Sequence, residues 1–147
     1  MSNFWNYFFV CILGTLFIGQ GIKPLEATQQ DQYLEMSGSG KTTTFKITVV
    51  VKKCAYDLSF NNLWIDNNAY QLTVLSTKKN TDSNYFEKGD TLYLVARRVE
   101  GEIPVNVQNS IPKKCKNKKV IEYSLCRKHK YLEIKAFEEL KPIYHQY

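Results

Sequence analysis

The string Gly38-Ser39-Gly40-Lys41-Thr42-Thr43 is the part of this sequence that looks most like chemistry. It matches the second half of a phosphate-binding loop, G-x-x-x-x-G-K-[ST], whose backbone N–H groups and lysine surround a phosphate. Three requirements of that loop are unmet. The motif's first glycine falls on Glu35, which puts a carboxylate where phosphate must approach. The segment ahead of it, Thr28 to Gln32, is polar and lacks the pattern of a buried strand. The segment behind it, Thr42 to Val51, is β-branched almost throughout, which disfavours the helix that should follow. The string is read as a flexible Ser/Gly turn leading into a strand, and no nucleotide is expected as a partner.

Other chemistry is sparse. His129 and His145 are the two histidines. A general base needs a group to orient it, and His129 lies between Lys128 and Lys130 with no acidic partner nearby in sequence. It is expected to be solvated. There is no C-x-x-C and no histidine pair at ligand spacing, so zinc is not expected. Asp82-Ser83-Asn84 begins like a calcium loop but lacks the glycine and closing glutamate that such a loop needs. No catalytic site, metal or cofactor is expected.

The N-terminus speaks to compartment. Phe8 to Ile18 is an uncharged apolar run of 11 residues within a chain of 147. That is short of the ~20 residues a spanning helix needs, and it suits the h-region of a secretory signal. No Lys or Arg precedes it, a departure from the usual pattern, and small residues follow at Gly19, Gly21 and Ala27. The expected organisation is a signal over 1–27 with cleavage after Gly21 or Ala27, then a flexible polar segment over 28–42. A β-sandwich domain over 43–140 and a tail over 141–147 complete it. The mature protein is expected outside the cell, without a membrane span.

An oxidising compartment makes pairing of cysteines the expectation. Cys11 leaves with the signal, so Cys54, Cys115 and Cys126 remain. If the residues before Cys126 form a strand, Cys126 lies ~20 Å from Val120, and a bridge from Cys115 must double back almost fully stretched to bring the Cα atoms within ~6.8 Å. Cys54–Cys126 is therefore the expected bridge, with Cys115 left as a buried thiol or a link to a second copy.

The elements that would carry these residues are strands. Phe45, Ile47, Val49 and Val51 share one face opposite Lys46, Thr48, Val50 and Lys52, and the residues of 70–74 and 91–99 alternate likewise, with Leu92, Leu94 and Ala96 on one face. Segments 63–65, 105–107, 119–125 and 130–137 complete a set of six or seven, separated by Asn-, Asp- and Gly-bearing turns such as Asp66-Asn67-Asn68. The aromatic share of 14% suits a β protein. The expectation is an all-β, antiparallel sandwich of about seven short strands, with Ala136–Leu140 as the best candidate for one short helix. The order Cys54…Trp64…Cys126 is similar to the immunoglobulin arrangement of two cysteines with a tryptophan between them. It departs at Tyr123, which stands three residues before Cys126 where that pattern has tyrosine two before. The similarity implies a sandwich, Ig-like or related, and no family.

Charge is the most informative feature. The net charge is +6, with 20 basic and 14 acidic residues. Lys113, Lys114, Lys116, Lys118, Lys119, Arg127, Lys128, Lys130 and Lys135 are opposed within 113–135 only by Glu122 and Glu133. The first eight form the expected anion-binding patch, divided between the two ends of a hairpin. Such a field speeds encounter with anions. A secreted, non-enzymatic binding protein is expected, engaging an extracellular protein or anionic glycan. Nucleic acid is disfavoured for lack of a Gly-aromatic stacking motif. A carrier of a small apolar ligand is the second reading, and a secreted effector or hydrolase the third.

Overall fold

The computed structural model describes residues 21–34, 40–53, 55–76, 85–103 and 111–145. Nine strands run through them: β1 (Ile22–Leu34), β2 (Lys41–Val51), β3 (Leu58–Ile65), β4 (Asn68–Gln71), β5 (Thr73–Ser76), β6 (Thr91–Val99), β7 (Val120–Leu125), β8 (Lys128–Glu133) and β9 (Glu138–His145). They form a five-stranded sheet, β5-β6-β2-β1-β9, and a four-stranded sheet, β4-β3-β7-β8. Every pairing is antiparallel except β1 with β9. The all-β sandwich is the architecture expected from the alternating pattern.

One core joins the sheets. Phe45, Ile47, Val49 and Val51 of β2 are all at or below 1% exposure and share it with Leu92, Leu94 and Ala96 of β6. From the facing sheet come Leu58, Leu63 and Ile65 of β3, Ile121 and Tyr123 of β7, and Leu132 of β8. The period-two residues thus turn inward, because alternate side chains of a strand share a face. Turns match their residues as well. Asp66 and Asn67 take φ of 50° and 65° between β3 and β4, the left-handed pair of a tight hairpin.

Two expectations are corrected. Glu138 to Leu140, the body of the anticipated helix, opens β9, and residues 134–137 are irregular. Pro142 is tolerated because β9 is an edge strand. Residues 28–34, read as a flexible polar segment, are the second half of β1, between β2 and β9. Their polarity has partners. Thr43 Oγ1 donates to Asp31 Oδ1 at 2.8 Å, Gln29 Nε2 to Glu139 Oε1 at 3.1 Å, and Gln30 Nε2 to the Lys141 carbonyl at 3.0 Å. The anticipated strand at 105–107 and the loop at 82–84 lie outside the described residues. No helix among the described residues is long and apolar enough to cross a membrane.

Candidate functional site

The basic segment is carried by the β7–β8 hairpin and the turn ahead of it. Residues 113–117 turn over the outer face of the small sheet. Cys115, fully buried, joins Trp64, Ala69 and Val120 in a second apolar cluster against which Ile111 and Tyr131 pack. This anchor leaves Lys113, Lys114 and Lys116 exposed. Lys114 Nζ stands over the Tyr131 ring at 5.6 Å, and Lys119 Nζ over Phe137 at 5.7 Å. Lys118 Nζ pairs with Glu133 Oε2 at 2.9 Å. Arg127 and Lys128 sit exposed at the opposite tip, with Lys130 half-buried between the ends. The residues therefore form two clusters, one strand length apart. At the tip Cys126 and Arg127 take φ of 50° and 62°, a left-handed pair that Asn-Gly would adopt at lower cost.

No disulfide is present among the described residues: Cys115 and Cys126 are both free. Cys54, the expected partner of Cys126, lies outside them. Cys126 Sγ is 3.5 Å from the carbonyl of Tyr56, two residues beyond Cys54. Burial, helped by the charge of Glu122, pushes the Cys115 thiol up to about 11, which keeps it protonated and poorly nucleophilic at neutral pH.

His129 has an acidic neighbour after all. Pairing of β7 with β8 sets Glu122 beside Tyr131 and Ser124 beside His129, so that Glu122 Oε1 lies 3.9 Å from His129 Nδ1. Glu122 is the hub of this face. Its Oε2 accepts from Asn62 Nδ2 and Trp64 Nε1, each at 3.0 Å. The carboxylate is only 14% exposed, whereas the His129 side chain is 65% exposed, so the imidazole is solvated as anticipated. Neither Glu122 nor Trp64 was singled out from sequence as part of a site. The signal available was a lone acid in an apolar strand within a basic run, which needs donors to stay charged.

A third feature lies at the rim between the sheets. A cavity of about 460 Å³ is lined by Tyr70, Leu75, Val95, Arg97, Arg98 and Ile103, among others. Arg98 also borders an adjoining space of about 320 Å³ with Lys41 and Thr43. Its guanidinium lies 5.5 Å over the Phe45 ring and 3.6 Å from Asp66 Oδ2. Lys41, the lysine of the Gly-Lys-Thr string, opens a strand, and its Nζ is 2.7 Å from Asp31 Oδ2. Its backbone N–H donates to Glu100 Oε2 at 3.3 Å. Burial alone would raise the Asp31 carboxyl, but hydrogen bonds from Lys41 and Thr43, with the charges of Lys41 and Arg98, hold it below its ordinary value. Among the described residues no group of three His, Cys, Asp or Glu side chains is placed to hold a metal.

The chain matches no known protein family, no curated protein and no solved structure.

Proposed function

We propose that this is a small secreted, non-enzymatic binding protein that engages an anionic extracellular partner through the β7–β8 unit. The observation that carries the reading is the exposed positive charge at both ends of that hairpin: Lys113, Lys114 and Lys116 on the anchored turn, Arg127 and Lys128 at the tip. Turns projecting from a rigid sandwich are common carriers of recognition. The left-handed Cys126-Arg127 pair adds support, since side chains retained against backbone preference point to use. A sulfated glycan presents spaced anions to both ends and is the partner class that best suits two clusters a strand length apart.

Retention on heparin tests this. Replacing Lys113, Lys114 and Lys116 by Gln is expected to lower the salt needed for elution, as is replacing Arg127 and Lys128 by Gln. Combining all five should abolish retention. Unchanged elution of the five-fold variant would overturn the proposal.

Secretion brings with it the Cys54–Cys126 bridge that an oxidising compartment favours. Non-reducing peptide mapping of exported protein is expected to recover that pair, with Cys115 as a free thiol. The rim cavity bears on a second reading, a carrier of a small apolar ligand, because its volume falls within the ~300–1,000 Å³ of ligand sites. Native mass spectrometry of exported protein would then show a bound small molecule.

A further inference from the structure

The apolar leader and the start of β1 meet within a few residues, and this leaves one of the two candidate cleavage windows compatible with the fold. We infer that the leader is released at or just before the Gly21–Ile22 bond, and not after Ala27. The inference builds on the export reading, but the boundary itself rests on β1. Ile22 is 1% exposed and belongs to the main core. It pairs with Val51, and the ladder continues through Lys23 with Val50, Pro24 with Val49, Glu26 with Thr48 and Ala27 with Ile47. Ahead of the strand the Gly21 carbonyl accepts from Lys52 N at 2.8 Å, a bond that a cut before Gly21 keeps and a cut after it gives up. Ala27 packs half-buried against the core.

Cleavage after Ala27 removes that half of β1. It uncovers the main chain of 47–51 in β2 and takes Ile22 out of the core. The residue types agree. A cut after Gly21 places small residues at the last and third-last leader positions, Gly21 and Gly19, as signal cleavage favours. A cut after Ala27 places the bulky Leu25 third from last.

Two measurements on the full chain test the boundary. The first is the intact mass and N-terminal sequence of protein expressed for export, expected to begin between Gln20 and Ile22. A folded product beginning at Thr28 overturns the inference. Retention in the cytosol with Met1 attached would defeat the export reading, and the second measurement then decides the boundary alone. It is limited digestion of the unprocessed chain with a non-specific protease, read by mass. A resistant core that retains Ile22 supports the boundary, and a resistant core that begins at Thr28 or later overturns it.

Discussion

Strands β6 and β9 belong to one five-stranded sheet and are held in it by different forces. β6 presents Leu92, Leu94 and Ala96 to the core at no more than 2% exposure, so the facing sheet covers one of its sides. β9 is exposed at all eight positions. It stays in place through parallel main-chain pairing with β1, through the Gln29 and Gln30 side chains, and through the Tyr33–Tyr144 stack at 5.1 Å. Burial of apolar area is the larger contribution where a facing layer exists. Where none exists, a strand persists on hydrogen bonds and local contacts, each of modest net worth.

The largest test of that difference is a matched pair of truncations. Leu94→Ala in β6 is expected to cost ~2–5 kcal/mol, the range for emptying a packed core site. Ile143→Ala in β9, 36% exposed, should stay within ~0.5 kcal/mol. Chemical denaturation of the two variants measures both values, and equal losses would mean that β9 is covered in solution.

Glu122→Ala comes next and extends the contrast to polar groups. It leaves the Trp64 indole N–H and the Asn62 amide without their acceptor on a covered face, at an expected ~1–3 kcal/mol. Gln29→Ala, which removes a contact exposed to water, should have a much smaller effect on the same denaturation curve.

The smallest expected effect is electrostatic. The Asp31 carboxyl, on the outer half of β1, is held below its ordinary value of 3.8. A carboxyl whose folded-state pKa is depressed contributes stability that is fully present above its unfolded value and fades as pH falls through the folded one. Asp31→Asn should therefore melt slightly below the wild type at pH 7, with the gap closing below pH ~4. A gap independent of pH would show that the hydrogen bond from Thr43 matters and the charge does not. The pair is partly solvated, with side chains 29% and 35% exposed, so screening keeps the effect small.

The residues that alternate in sequence, 45–51 and 91–99, were legible as strands because one of their faces is buried and the other wet. The Asp66-Asn67 turn was legible for the same kind of reason, since few residue types accept its backbone. β1 beyond Thr28 and all of β9 carry no such mark. Their side chains are partnered by polar groups or by water, so period-two hydrophobicity never arises, and only the presence of β2 beside β1, and of β1 beside β9, makes them strands. Glu122 shows the limit most clearly. Its partners lie 60 and 58 residues away in sequence, at Asn62 and Trp64, and no local pattern encodes a pairing of that range. Composition and periodicity determined the class of fold and the concentration of positive charge near the C-terminus, because both are sums over neighbouring residues. Sheet order, the partners of Glu122 and the burial of Cys115 were decided only by tertiary structure, because each depends on which distant strands lie side by side.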